Sequence, residues 1–136
     1  MVRNIVRDTV FLAIPSKEAA QSDFAVATDL ADTLRANEDR CVGMAANMIG
    51  VSKKVIAVSV GPVILILYNP AILNKSDPYD TEEGCLSLSG VRPVTRYGKI
   101  EVEYRDASFR KQRQTFRGET AQIIQHEIDH LSGRLI

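Results

Sequence analysis

An α+β fold is what this sequence predicts, and three observations carry that reading. Apolar residues recur at helical spacing in a segment before the middle of the chain. They do so again at its C-terminal end. Between the two, apolar and alternating segments follow one another, separated by turn residues rather than by helices. The 136 residues, 45% hydrophobic and 25% charged, suit one core, because a second core would need more chain. Residues 1–136 are therefore expected to form a single domain.

The elements follow in order. The first residues, MVRNIVRDTVF, alternate charge with apolar groups and lack the apolar stretch of roughly 7–15 residues that a secretory signal needs. From Ser22 to Asn37, Phe24, Ala27, Leu30, Ala31 and Leu34 keep helical spacing with polar residues between them, which predicts an amphipathic helix on a sheet. Cys41–Gly50, CVGMAANMIG, is a run of small residues framed by Gly43 and Gly50. Such a run serves either tight packing or the wall of a site.

Strand signals come next. VIAVSV (Val55–Val60) and VILILY (Val63–Tyr68) flank Gly61-Pro62, which marks a turn. Asn69-Pro70 is expected to end the second strand, and the polar, turn-rich Asn74–Gly84 to form a surface loop. Lys99–Asp106 alternates, with Ile100, Val102 and Tyr104 on one face and Glu101 and Glu103 on the other. That pattern predicts a half-buried antiparallel strand. Arg105–Gln114 reads as a turn and Gln114–Arg117 as a short returning strand. From Glu119 to Ser132 the period is helical, Ala121, Ile124, Ile128 and Leu131 form one stripe, and Gly133 is the expected stop.

Charge and cysteine content narrow the class of function. Seventeen Lys+Arg balance 17 Asp+Glu, which argues against nucleic acid or an anionic membrane surface as the main partner. The longest apolar run, Val63–Tyr68, falls far short of the ~20 residues of a membrane span. Two cysteines in a chain able to build a core do not read as a disulfide framework. A cytoplasmic location is the expectation.

The last helix contains His126-Glu127-Ile128-Asp129-His130, an H-E-x-x-H pattern. Positions four apart lie about 40° apart on a helix surface and one turn up. Two imidazoles can thus reach one metal ion while Glu127 stands beside them to handle a proton. The bland alternative is a surface helix that happens to carry both histidines. Chance gives this arrangement in about one such chain in a thousand. Only LSGRLI follows His130, with no ligand type in it, so a third ligand must come from upstream: Cys41, Cys85 or a carboxylate. Cys85 lies in Glu82-Glu83-Gly84-Cys85-Leu86-Ser87. It reads either as a small buried hydrophobe or as the thiolate of a Cys/His/His set, which leaves the fourth position open for catalysis. The N–H of Leu86 would then lie close enough to serve an oxyanion.

GMAANMIG, EGCLS and QHEIDHLSG, in that order, resemble the three signature motifs of the peptide deformylases. The resemblance runs from about Val42 to Leu135 and takes in YNP at 68–70 and the alternating strand at 99–106. It implies mostly antiparallel strands around a central C-terminal metal-binding helix. It also implies hydrolysis of the N-formyl group on the initiator methionine of nascent polypeptides, to formate and a free amine. Cys85, His126 and His130 would hold one divalent metal, Fe(II) in most of the family, with Zn, Ni or Co as substitutes. Glu127 would take a proton from the attacking water and pass it to the leaving amine. Leu86 would give an oxyanion donor. Gly43, Gly84 and the position of Met48 would line the substrate site, the glycine backbone binding an extended peptide by strand-like addition. Arg92 would orient a peptide carbonyl, or else be a solvated charge. Glu83 is expected to pair with an arginine such as Arg96 to fix the ligand loop. Ribosome-associated nascent chains are the implied partners.

The first motif departs from the family pattern. Cys41 stands where a glycine is usual, and Met48 stands where a glutamine is usual. A thioether donates no hydrogen bond, so one side-chain donor to the oxyanion is missing, a loss typically worth ~10²–10³ in kcat. Asn47 is next door but points another way. Ser89 stands in place of a common proline. Met48 therefore keeps two alternatives open: a catalytically weak deformylase-like paralogue that binds metal and formylated peptides, or another metal-dependent amidase or peptidase.

Overall fold

The computed structural model describes residues 1–136. Its elements are α1 (Thr9–Leu12), α2 (Phe24–Ala36), β1 (Gly43–Ala45), β2 (Val55–Val60), β3 (Val63–Cys85), β4 (Leu88–Arg105), β5 (Lys111–Arg117) and α3 (Gly118–Leu131), with short 3₁₀ turns at Gln21–Asp23 and Ala46–Ile49. The five strands form one sheet in sequence order, and every neighbouring pair is antiparallel. This is the α+β architecture that the helix and strand periods predict.

The core lies between the sheet and the helices α2 and α3. Leu30 and Leu34 of α2, Ile56 and Val58 of β2, Leu67 of β3, Ile100 and Val102 of β4, and Ile124 of α3 are all fully buried. Burial of this kind stabilises by about 1.5–3 kcal/mol for each large aliphatic side chain. The face of α2 is held by Ala27, Leu30, Thr33 and Leu34, whereas Phe24, at the helix's first residue, is 65% exposed. Asp8, whose carboxylate accepts from the N–H groups of Val10 and Phe11, starts the single turn of α1.

Two expectations fail in β3. The strand does not end at Asn69-Pro70. The register slips between Tyr68 and Ala71, Asn69 adopts φ 50°, and the missing N–H of Pro70 falls inside this bulge, where no ladder bond needs it. The Asn69 side chain accepts from Ala19 N–H at 2.7 Å and donates to the Ala19 carbonyl at 2.9 Å. Nor is Asn74–Gly84 a loop. It is the outer half of β3, paired with β4 from Asn74↔Glu101 to Gly84↔Val91. Beyond Tyr68 no strand lies on the other side of β3, so this part is a ribbon, with the side chains of 74–80 in water and Glu83 turned inward. Pro78 is tolerated because its missing donor faces that open edge. The ribbon closes on a two-residue tip, Leu86-Ser87, between Cys85 and its partner Leu88. β5 is also longer than expected, beginning at Lys111 rather than Gln114.

Helix α3 lies against β1, β2, β4 and β5. Gln125 pins it, accepting from Tyr97 N–H at 2.9 Å and donating to the Tyr97 carbonyl at 2.8 Å. The helix stops where predicted. Gly133 has φ 82°, and a side chain there would run into the Ala13 carbonyl.

Candidate metal centre

The stripe of α3 that carries the chemistry faces inward. His126, Glu127 and His130 are only 8%, 4% and 1% exposed. The one-turn offset brings Nε2 of His126 to 2.9 Å from Nε2 of His130. At that distance two bare ring nitrogens repel, so either a proton or a metal ion sits between them. Cys85, at the end of β3, completes the set: its Sγ and one nitrogen of each ring lie within 4.8 Å of one another. This donor set fits a divalent metal. One sulfur and two imidazoles converge, and catalytic zinc and iron sites use these ligand types at bonds of about 2.0–2.3 Å.

Around the three donors stands a charged frame. The Glu83 carboxylate lies 2.7 Å from Nδ1 of His126. It also accepts from Arg96 Nε at 3.1 and 3.0 Å, from Arg96 Nη2 at 2.6 Å and from Gln122 Nε2 at 2.9 Å. Arg96 Nη1 reaches back to Asp129 on α3 at 2.6 Å. The expected pairing of Glu83 with Arg96 is present. Burial alone would raise the Glu83 carboxyl, but the hydrogen bonds from His126, Arg96 and Gln122 hold it at about 2. Burial likewise opposes charge on His126, yet bonds to Cys85 and Glu83 raise it to about 10. His130, desolvated and next to the His126 charge, falls to about 3. With Nδ1 of His126 against the Glu83 carboxylate, its Nε2 is the nitrogen turned to the shared centre.

Glu127 is different in kind. It is buried, its Oε1 has no hydrogen-bond partner, and burial lifts its carboxyl to about 7. A carboxyl poised near neutrality and free of partners is equipped to take and give a proton.

These groups open on a cavity of about 310 Å³. Gly43, Met48, Gly84, Cys85 and Leu86 line it opposite Glu119, Gln122, Ile123, His126 and Glu127 of α3. Gly43 has to be glycine here, because a Cβ would meet Ile123 Cγ2 at 2.5 Å and Glu127 Oε2 at 2.9 Å. Met48 is buried, and its sulfur lies 3.5 Å from the Ala45 N–H. Asn47 is aimed elsewhere and donates to the His130 carbonyl at 2.8 Å. Arg92 is not part of the lining; its Nη1 donates to the Ser89 carbonyl at 3.4 Å.

Of the two cysteines considered as third donor, Cys85 joins the histidines. Cys41 lines the cavity but gives its S–H to the Gly43 carbonyl at 2.7 Å, and burial followed by the Glu127 charge pushes its thiol up to about 11. Glu119, Gln122 and Ile123 were not singled out from the sequence. Counting back from His126 in steps of three, four and seven would have placed them on its face of the helix.

Three protein donors with a partner-free carboxylate beside them are the arrangement of metal-dependent hydrolases, in which one ligand position stays open to the reaction, and this chain is of that class. The family model described as "Polypeptide deformylase" matches residues 10–136, and the chain belongs to the polypeptide deformylase family. It is 54% identical over 136 residues to a peptide deformylase of Clostridium beijerinckii, covering 100% of both chains. Among solved structures it is similar to a peptide deformylase from Legionella pneumophila, with TM-score 0.88, 31% identity and 99% and 83% of the two chains covered. It is similar as well to a Met-Ala-Ser-bound class I type b peptide deformylase from Acinetobacter baumannii, with TM-score 0.88, 28% identity and coverage of 99% and 97%.

Proposed function

We propose that residues 1–136 act as a single domain that removes the N-formyl group from N-formylmethionyl peptides, giving formate and a free amino terminus. The observation that carries this reading is the convergence of Cys85, His126 and His130 on one cavity with partner-free Glu127, in a chain of this family.

In this reading Cys85, His126 and His130 hold one divalent ion, Fe(II) in preference, with Zn, Ni or Co able to replace it. When bound, the ion supplies Lewis acidity that makes water nucleophilic near neutral pH and polarises the formyl oxygen. Glu127 accepts the proton released as the C–O bond forms. It then delivers that proton to the amine as the C–N bond breaks. The Leu86 N–H donates to the developing oxyanion in this reading. Backbone groups of Gly43 and Gly84 receive an extended peptide as an added strand. The Acinetobacter protein with Met-Ala-Ser bound supports a methionine-first peptide as the ligand. Nascent chains, presented at the ribosome in the cytoplasm, are the source of such formylated ends. No helix of the chain is long and apolar enough to cross a membrane.

The test is formate release from formyl-Met-Ala-Ser by anaerobic, Fe(II)-loaded protein, with Glu127→Gln as the blank. Release well above the blank is expected, with metal content equal in both. Equal release from the two, with metal bound in both, overturns the reading.

A further inference from the structure

Val6 and Arg7 are about 80 positions from the ligand loop in sequence, yet they hold the side of the cavity that faces α3 at two points. The Val6 N–H donates to the Met48 carbonyl at 2.8 Å. Arg7 Nη1 donates to the Leu86 carbonyl, also at 2.8 Å. That carbonyl belongs to the same planar peptide unit as the Ser87 N–H, and the Ser87 N–H donates to Cys85 Sγ at 3.4 Å. One rigid plane thus has a guanidinium on its oxygen end and the cysteine sulfur on its N–H end.

The geometry points to Arg7 as a positioning residue that sets the donor character of the Cys85 sulfur through the Leu86–Ser87 peptide. This rests on the proposed ligation by Cys85. A cation on the carbonyl polarises the amide and strengthens the hydrogen bond its N–H makes. A stronger N–H···S bond draws electron density from the thiolate and fixes the direction in which its remaining lone pairs point, the usual route by which groups behind a ligand tune a metal site. Leu86-Ser87 is a two-residue tip at the end of a ribbon, and the buried Ser87 hydroxyl has no hydrogen-bond partner. Because Arg7 itself is exposed, replacing it removes the hydrogen bond without opening a hole in the core.

The experiment uses the full chain loaded with Co(II), whose thiolate-to-metal absorption in the near ultraviolet reports on the Cys85 sulfur directly. Arg7→Met removes the charge and Arg7→Lys keeps it. Arg3→Met is the control, since Arg3 pairs with Asp29 at 2.8 Å, away from the cavity. Arg7→Met is expected to shift the thiolate band and weaken Co(II) binding about tenfold in chelator competition. Arg7→Lys should recover much of the band position, and Arg3→Met should match the parent. A parent band position retained in Arg7→Met overturns the proposal, whether or not affinity falls, because a merely structural role would lower affinity alone. Absence of any thiolate band in the parent protein overturns the ligation by Cys85, and with it this inference. The two failures are thereby told apart.

Discussion

Glu83 and His126 are joined at 2.7 Å, carboxylate to Nδ1, and this contact decides which nitrogen of the ring faces the metal centre. With the proton of Nδ1 committed to Glu83, Nε2 is left for the ion. Glu83 also holds Arg96, which reaches Asp129 one helical turn along α3. A single carboxylate therefore orients a ligand and ties the helix to the ribbon.

Glu83→Ala should weaken metal binding by about 10–100-fold, the usual effect of removing the group behind a metal-ligating histidine. Thermal stability should fall too, because Arg96, 4% exposed, keeps only Asp129 as a partner. Competition with a chromophoric chelator and a melting curve measure the two effects. Unchanged affinity would show that Glu83 serves packing alone.

In chelator-treated protein, stability should be greatest between about pH 4.5 and 6.5. Folded Glu83 gains its proton only near 2, against an ordinary 4.5, so the unfolded chain takes up that proton first as pH falls. Its contribution is complete above 4.5 and lost on the way down to about 2. His126 is raised from 6.5 to about 10, so its contribution is present below 6.5 and fades as pH rises through 10. Denaturant midpoints across this range check the shape, and Glu83→Gln should flatten the acid limb.

Met48→Gln should raise kcat, by as much as ~10²-fold, if the missing side-chain donor limits the rate. Glutamine is close to methionine in length. Its carboxamide oxygen can accept the Ala45 N–H that the sulfur now faces at 3.5 Å, leaving its NH₂ for the cavity. Steady-state kinetics on a formyl peptide would show the gain in kcat with KM little changed. No gain would mean that the Leu86 N–H and the ion already suffice.

Gly43→Ala should keep its metal and lose turnover by roughly 10²-fold. The added methyl meets Glu127 Oε2 at 2.9 Å and Ile123 Cγ2 at 2.5 Å, and a catalytic group displaced by about 1 Å can cost that much. Metal analysis alongside kcat separates a displaced carboxylate from a lost ion.

The sequence by itself determined the parts that depend on local geometry. An α-helix fixes the relation of residues three and four apart, so His126, Glu127 and His130 were legible as one constellation, and the α2, β2 and α3 boundaries followed from their apolar periods. Motif order drew Cys85 into the set. Tertiary structure alone decided what depends on partners distant in the chain. Asn74–Asp80 is polar because that part of the ribbon is wet on both faces, and composition cannot tell such a ribbon from a loop; only the pairing with β4 does. Beyond the expected Glu83–Arg96 pair, the contacts of Glu83 with His126 and Gln122 and the approach of Arg7 to Leu86 bring together side chains whose separation in sequence carries no period. Their meeting is set by how the ribbon folds back over α3, and that is a property of the packed chain.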